Sequence, residues 1–438
     1  MFDVDYWSVI FYRSLHAYFD NLRSVYRFIS TLSFHFSLLQ GRTTFEVNPV
    51  DLIAIECLRL FEPDVYKEIS RSKEIFTRNG SDSYGRSKDI TANLIENVVG
   101  KSTKGKNEIV RSLLKKMFPN IEWALGGTHY GTNGDLWLKD MRICHPTNFD
   151  KYFQFSIPSG ELSNSDLQEM LSLTSDASAF SLLILALKEQ GIVKNALAQF
   201  ESYTDEIPLV NGYTYIKALL DVGDKLDHGL IGFTDLSSNI RILRLVVWFI
   251  ERIESLQERG NLLCHCFTDS VGLSIVEDIL MSDDKRRQES KEELLLDDNG
   301  FIQLKQLFVK KIDNLAENSS EELLDHAHFG SLIYRWEQWG NSEKVLSWVK
   351  LQANKPKGSL KLLKAFTRES SSISMNSYIA KISHYIKLEN LEFFVSINVI
   401  EEEIIKLDKS NLDEKSLEAI KAFDEAIDRR KRGVSDDF

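Results

Sequence analysis

Two arginines near the start of the sequence are the residues best suited to bind an anion. Arg23 and Arg27 lie four positions apart, so on a helix they share one face. The other positions of this helix, among them Leu22, Tyr26, Phe28 and Ile29, are largely apolar. The guanidinium group is a planar fork of N–H donors that matches phosphate or carboxylate oxygens. The spacing alone favours a pair of surface or salt-bridged arginines, and an anion site is the alternative.

A second motif, Gly100-Lys101-Ser102, matches the tail of a phosphate-binding loop. Such a loop needs a first glycine five residues before Gly100, because a tight turn must bring backbone N–H groups around the phosphate. Ile95 stands at that position, and the residues around it favour a helix over a strand. The sequence therefore predicts a basic surface loop that includes Lys104 and Lys106.

The histidines and cysteines match no metal-binding or catalytic motif. Cys264-His265-Cys266 is too compact for the separations of about two to four residues found in zinc sites. His326 and His328 are two apart on a predicted helix, where they would point in different directions. The sequence has no GxSxG elbow, no HExxH and no GxGxxG in a strand–helix context. We therefore assign no catalytic residue and no metal ligand.

Helices are the elements expected to position these residues. Apolar residues at helical spacing between residues 4 and 40 predict one or two helices that end at Gly41. The segment Asn48-Pro49-Val50-Asp51 predicts a helix start, with Asn48 as the N-cap and Pro49 at the first helical position. These helices would place both arginines on the first elements of the chain.

Helical patterns also dominate the second half of the sequence. Ser163, followed three residues later by Asp166, predicts another helix N-terminus. Several further helices are predicted after it, one of them over 374–386. Residues 120–158 differ, because their aromatics, glycines and short apolar runs predict an irregular or β-hairpin connector.

Composition narrows the classes of function. The chain has 438 residues, of which 43% are hydrophobic and 27% charged, as in an ordinary globular protein of several domains. Its 7 prolines and 22 glycines are few, which leaves long stretches able to form helices. The net charge of −12 argues against a general binder of nucleic acid or of anionic membranes.

The sequence also predicts a soluble, cytoplasmic protein. Its 4 cysteines are too few for a disulfide framework, which favours a reducing compartment. No signal peptide is evident at the start. The most apolar runs, 181–187 and 245–250, are far shorter than the ~18 residues of a transmembrane helix.

Four segments together resemble the C-terminal part of the KAP family of P-loop NTPases, a group related to STAND and AAA-type ATPases. NLRSVYRFISTLSF (21–34) looks like the Arg-x-x-x-Arg-Phe element that follows the family's ATPase core. FEVNPVDLIAIECLRLFEPDVYKEI (45–69) looks like its helical lid. RICHPTNFDKYFQFSIP (142–158) is similar to a family connector, and IKALLDVGDKL (216–226) to a later helix. The resemblance covers roughly residues 15–230.

The resemblance implies which part of an ATPase this chain represents. In the family, the Walker A loop and the acidic Walker B strand lie upstream of the Arg-x-x-x-Arg-Phe element, which here begins near residue 21. Phosphoryl transfer needs that loop, its lysine and a magnesium-holding acid together. We therefore expect a C-terminal, non-catalytic region with no cofactor of its own. ATP and Mg²⁺ would be used only when an upstream core is supplied.

The family also suggests roles for the arginines and the partners. By resemblance, Arg23 or Arg27 would sense the γ-phosphate from the lid through charge stabilisation, or one of them would hold the lid through a carboxylate. The expected partner is the missing N-terminal NTPase core or a separate protein, with homo-oligomers also expected. The resemblance implies prokaryotic defence against phage or mobile elements. The alternative function is a stand-alone α-helical scaffold that binds a partner protein without nucleotide chemistry.

The predicted fold class is mainly α. A multi-helix lid bundle is followed by an extended all-helical C-terminal domain, with a short irregular or β-hairpin connector. The predicted domains are a helical lid at 1–78, a loop, helices and connector at 79–160, a helical domain at 161–281 and a C-terminal helical domain at 282–438.

Overall fold

Helices form most of the protein, as a computed structural model shows, so the predicted mainly α fold class is confirmed. The chain divides into two compact units, Met1–Leu209 (unit 1) and Val210–Phe438 (unit 2), and the finer four-part division stays a prediction. The structure describes residues 2–41, 44–77, 88–127, 134–155, 160–227, 230–232, 235–289, 294–373 and 380–432.

Unit 1 consists of helices and the turns that join them. In chain order its α-helices are α1 (Val4–Arg13), α2 (Leu22–Leu38), α3 (Pro49–Phe61), α4 (Pro63–Arg71), α5 (Lys73–Thr77), α6 (Lys88–Val99), α7 (Asn107–Met117), α8 (Gly134–Lys139), α9 (Pro146–Phe149), α10 (Lys151–Gln154), α11 (Asn164–Ser172), α12 (Ala177–Glu189) and α13 (Val193–Phe200). The described part of the predicted 120–158 connector contains short helices and turns, which agrees with an irregular connector.

Helix α3 lies in the core of unit 1 and begins where the sequence predicted. The Asn48 side chain accepts hydrogen bonds from the N–H groups of Val50 and Asp51, at 3.0 and 3.3 Å. These bonds satisfy N–H groups that have no partner within the helix. Most of α3 is buried, including Leu52 and Ile55. Helices α1, α2 and α4 pack against it, so α3 fixes the positions of the first two helices.

The N-terminus of α11 was also predicted correctly. Ser163 Oγ accepts a hydrogen bond from the Asp166 N–H at 2.9 Å, and the Asp166 carboxylate accepts one from the Ser163 N–H at 3.3 Å. This is a reciprocal capping box.

Unit 2 is also helical, with two short antiparallel hairpins. Its elements are α14 (Gly212–Gly223), β1 (Leu230–Gly232), β2 (Asp235–Leu236), α15 (Ser238–Glu251), α16 (Leu256–Asp269), α17 (Ser274–Glu289), α18 (Asp298–Asn318), α19 (Ser320–Asp325), α20 (Phe329–Trp339), α21 (Ser342–Ala353), α22 (Pro356–Phe366), β3 (Arg368–Ile373), β4 (Ala380–Tyr385), α23 (Leu388–Glu392), α24 (Ile397–Ile405) and α25 (Glu414–Lys431).

The β3–β4 hairpin corrects the helix predicted over 374–386. Its strands pair in register from Arg368 opposite Tyr385 to Ile373 opposite Ala380, while residues 374–379 lie outside the described residues. The start of the β4 sequence, AKIS, alternates apolar and polar residues, and β3 is rich in serine. Such alternation favours a strand, whereas serine weakens a helix interior. The prediction relied on apolar spacing alone and missed this pattern.

Candidate functional site

Helix α2 carries both arginines on a face that is exposed to solvent. We define the α2 surface by its exposed residues Leu22, Arg23, Tyr26, Arg27, Ile29 and Phe34. Their positions along the helix bring them onto one side of it. Exposure of Leu22 is 75%, of Tyr26 69%, of Ile29 51% and of Phe34 60%. These are large apolar side chains in the environment where a soluble protein usually places polar ones.

The apolar residues of α2 are divided between a buried side and the exposed α2 surface. Of the α2 side chains, Phe28 and His35 are buried, and the Phe28 ring packs against Phe19 with centroids 5.1 Å apart. Leu22 and Tyr26 point away from that contact and remain exposed. The spacing of the apolar residues predicted the helix correctly. Only one side of α2 packs against the core, so the apolar residues on its other side remain exposed.

Arg23 and Arg27 are exposed and have no side-chain hydrogen bond or ion pair within the described residues. Neither arginine binds a carboxylate of the described residues. The alternative that one of them holds the lid through a carboxylate therefore has no support among these residues. Helix α2 contains no acidic residue. The positive charge on the α2 surface is therefore not neutralised by its own helix.

The buried carboxylate of Glu56 on α3 contacts α2 and stabilises its position. Glu56 is 1% exposed and lies 2.9 Å from His35 Nδ1 on α2. Arg59 binds the same carboxylate through Nε, at 3.0 Å from both oxygens, and through Nη2 at 2.8 Å. The His35 ring also stacks on Phe155, with centroids 4.0 Å apart. These contacts fix the orientation of α2, and the arginine that acts as a clamp is Arg59.

A second buried network joins α1, α3 and the connector. Asp51 accepts hydrogen bonds from Tyr6 Oη at 2.5 Å and Arg142 Nε at 2.7 Å, and from the Ile143 N–H at 3.0 Å. The Arg142 guanidinium lies over the Tyr6 ring, 4.2 Å from its centroid. Burial, and then the Asp51 charge, raise the pKa of the Tyr6 hydroxyl. The sequence indicated Asp51 only as a helix-start acid, since its partners are distant in the chain.

The Gly100-Lys101-Ser102 segment does not form a phosphate-binding loop. It follows the C-terminal end of α6, where Ser102 Oγ donates to the Val99 carbonyl at 2.7 Å. Lys101 forms an ion pair with Glu68. A helix C-terminus carries partial negative charge and repels phosphate. The predicted basic loop is confirmed, except that Lys106 is partly buried and donates to the Ala17 carbonyl at 2.7 Å.

The Cys264-His265-Cys266 segment lies on α16 with its side chains separated. Both thiols are buried and donate to backbone carbonyls, from Cys264 to Gly300 at 3.8 Å and from Cys266 to Tyr213 at 3.6 Å. Burial raises their pKa values to about 11 and about 12. Each thiol therefore stays protonated at neutral pH, unlike a metal-bound thiolate.

The sequence predicted that His326 and His328 lie on a helix, and this prediction is wrong. Both lie in the turn between α19 and α20. His326 Nε2 lies 2.9 Å from Asp224 Oδ2, and its Nδ1 accepts a hydrogen bond from the His328 N–H at 3.1 Å. Both ring nitrogens of His326 are thus engaged. Burial opposes ionisation of Asp224, but the His326 contact and the hydrogen bonds from Ser274 together lower its pKa to about 2.

Next to this pair, α17 carries two acids that sequence reasoning missed. Burial raises the pKa of Glu277 to about 7, and that of Asp278 to about 6 with a contribution from the Asp224 charge. Ser331 Oγ donates a hydrogen bond to Glu277 Oε1. We interpret these acids as a pH-sensitive element of unit 2.

Within the described ranges, no group of three or more His, Cys, Asp or Glu side chains is placed to hold a metal ion. No helix in this part of the chain is long and apolar enough to cross a membrane. Comparisons with models of known families, with characterised proteins and with solved structures find no match for this sequence or fold. The resemblance to the KAP family stays a prediction.

Proposed function

We propose that this chain is the C-terminal, non-catalytic region of a KAP-type P-loop ATPase, and that the α2 surface binds the nucleotide-binding core. The observation that supports this proposal is the exposure of apolar residues beside two arginines that form no ion pair within the described residues. The sequence resemblance independently places an Arg-x-x-x-Arg-Phe element at the same residues. The core would be an upstream segment of the same protein or a separate chain.

The apolar part of the α2 surface supplies a reason for association. Tyr26, Ile29 and Phe34 are each more than half exposed. A contiguous group of exposed apolar side chains is typical of a protein-binding surface. Covering these side chains would remove apolar area from water, which is the main favourable term in association.

The arginines supply a reason why the partner should carry a nucleotide. A guanidinium group placed against a γ-phosphate stabilises negative charge, and it loses that contact when the phosphate leaves. Because α2 is fixed through His35 and the buried Glu56, movement at Arg23 or Arg27 would be transmitted to α3. ATP and Mg²⁺ would belong to the core, and this chain would respond to them.

The test restores the core and compares single substitutions. The protein is expressed with its upstream nucleotide-binding segment, and ATP hydrolysis is measured for Arg23→Ala and Arg27→Ala. Arg71→Ala is the matched control, since Arg71 is exposed on α4 of the same unit. We expect at least one α2 substitution to change the rate tenfold or more while the control does not. Unchanged rates in both variants would refute the sensing role.

The second candidate function is a helical scaffold that binds a partner protein without nucleotide chemistry. The apolar character of the α2 surface favours it, since a protein partner needs Ile29 and Tyr26 more than the arginines. Ile29→Asp separates the two functions, with Leu182→Asp as its control because Leu182 is 68% exposed on α12. Loss of partner binding in Ile29→Asp alone, with normal binding by Arg23→Ala and Arg27→Ala, would favour the scaffold.

By the same resemblance, we propose a role in prokaryotic defence in the cytoplasm. A strain that produces the restored protein would survive phage challenge, and one with Ile29→Asp would survive no better than the parent strain. Equal survival of the parent and the producing strain against a broad phage panel would contradict this role.

A further inference from the structure

Unit 2 contains a cavity of about 740 Å³ that none of the motifs in the sequence indicated. It lies between α20, the end of α22, the start of β3 and α23. This volume is within the range of roughly 300–1,000 Å³ found for small-molecule sites. Its lining combines two arginines with aromatic side chains.

The first arginine, Arg335 of α20, is only partly satisfied. Its Nη1 donates to Gln338 Oε1 at 2.5 Å. Its Nε–H is shielded from solvent and has no hydrogen-bond partner, and no carboxylate lies within 4.0 Å of the guanidinium in the described residues. A buried donor without an acceptor costs free energy. The Arg335 side chain is only partly buried, so an oxyanion in the cavity can bind its remaining N–H groups through charge-assisted hydrogen bonds.

The second arginine, Arg368, is exposed at the start of β3 and also forms no ion pair within the part of the chain that is described. Its charge acts on the hydroxyl of Tyr334, another lining residue. Burial raises the pKa of that hydroxyl, and the Arg368 charge opposes the increase. The cavity therefore presents two positive charges, contributed by a helix and a strand.

The aromatic side of the cavity is formed by Tyr334, Phe366 and Phe393. The Tyr334 and Phe366 rings pack edge to face with centroids 5.8 Å apart, so they support each other. Phe393 is 53% exposed although it is large and apolar. A flat ring could stack on it and cover the exposed face.

Two acids also line the cavity, and they limit what it can bind. The Glu337 carboxylate accepts a hydrogen bond from Ser342 Oγ at 2.8 Å, so it is directed toward α21. Glu389 is exposed at the start of α23. Both can accept hydrogen bonds from the hydroxyl or amine groups of a ligand. A purely anionic ligand would meet some repulsion, whereas one that also carries donors would not.

We propose that this cavity binds a small molecule that carries a phosphate monoester beside a flat ring. Neither arginine forms an ion pair within the described residues, although Arg335 lies over the Trp339 ring and its charge acts on Glu277. Two guanidinium groups match the charge of a phosphate dianion better than that of a single carboxylate. The ring stacks on Phe393, and donors on the ligand bind the exposed Glu389. The site lies wholly in unit 2 and is independent of the α2 surface.

The test measures binding to the purified full chain by isothermal titration calorimetry. The probes are phenyl phosphate and a nucleoside 5′-monophosphate, with inorganic phosphate and the free nucleoside as comparators. We expect saturable binding of at least one ring-bearing phosphate, at least tenfold tighter than either comparator. The stronger of the two probes distinguishes a nucleotide ligand from a simple aryl phosphate.

Substitutions assign the binding to this cavity. Arg335→Gln and Arg368→Gln should each weaken binding about ten- to hundredfold, which corresponds to the loss of one charge-assisted contact. Arg432→Gln is the control, since this arginine is exposed on the same unit and lies outside the cavity. Arg335→Lys keeps the charge but lacks the fork, and we expect it to bind at least fivefold more weakly than the wild type. Circular dichroism confirms that each variant is folded.

The proposal is overturned if none of the phosphates binds below millimolar concentration, or if folded Arg335→Gln and Arg368→Gln bind as tightly as the wild type. Inorganic phosphate that binds as tightly as both ring-bearing probes would also refute the proposal, because the ring would then contribute nothing to the affinity. None of these results depends on Arg23 or Arg27, so a failure here is distinct from a failure of the proposed function.

Discussion

Replacing Glu277 by glutamine should stabilise the protein at alkaline pH and leave it unchanged in acid. Glu277 is 2% exposed, and burial raises its pKa from an ordinary 4.5 to about 7. The neighbouring Asp278 charge adds to the increase, whereas the Ser331 hydrogen bond and the charges of Arg335 and His326 oppose it. Glutamine keeps the oxygen that accepts from Ser331 and cannot ionise.

The direction of the pH dependence follows from the number of protons that the folded and unfolded states bind. Between pH 4.5 and pH 7 the folded state holds a proton on Glu277 that the unfolded state has lost, so stability falls as pH rises through that window. The pKa difference of about 2.5 pH units is worth about 3 kcal/mol. We therefore expect the free energy of unfolding of Glu277→Gln to exceed that of the wild type by about 3 kcal/mol at pH 8. At pH 4.5 the advantage should be much smaller.

The assay is urea unfolding of the full chain at both pH values, followed by tryptophan fluorescence. Glu289→Gln is the matched control, because Glu289 is an exposed residue of the same helix, α17. Its effect should be the same at both pH values to within about 0.5 kcal/mol. If Glu277→Gln changes stability equally at pH 4.5 and pH 8, then Glu277 is ionised normally in the folded protein and the reasoning fails.

Three further predictions concern unit cores and surfaces. Asp51→Ala breaks the buried pair with Arg142 and should lower the free energy of unfolding by about 3–5 kcal/mol in urea titrations; a loss below 1 kcal/mol would contradict it. Gly272→Ala places a Cβ 1.9 Å from a backbone oxygen and should cost at least about 1–3 kcal/mol by calorimetry, unlike Gly134→Ala, which meets open space. Arg23→Ala should change the stability of the isolated chain by less than about 0.5 kcal/mol, and a larger loss would show a structural role.

Local features of the fold could be predicted from the sequence, because their signals lie within a few residues. The Asn48 cap and the Ser163 capping box are examples, and both are present. The β3–β4 hairpin was missed because its stabilisation depends on pairing between two strands, and each strand alone is short. The spacing of apolar residues alone predicts a helix over 374–386.

The site was harder to predict because burial is a property of the whole fold. The Arg23 and Arg27 spacing indicated one helix face, but the sequence did not show that Tyr26 and Ile29 share that face in an exposed position. Likewise, Asp51 and Arg142 meet across 91 positions of sequence, and no local pattern connects them. Partners of this kind become visible only when the helices are packed.

The most direct test of the central claim is hydrogen–deuterium exchange over α2 with and without the nucleotide-binding core. We expect the core to be a segment with a GxxxxGK[ST] loop. It would be encoded directly upstream, either in frame or as an adjacent chain. We predict that its addition slows exchange across residues 22–38 and that Ile29→Asp abolishes this protection. Unchanged exchange over α2 in the presence of the core, or the lack of such a segment upstream, would contradict the account.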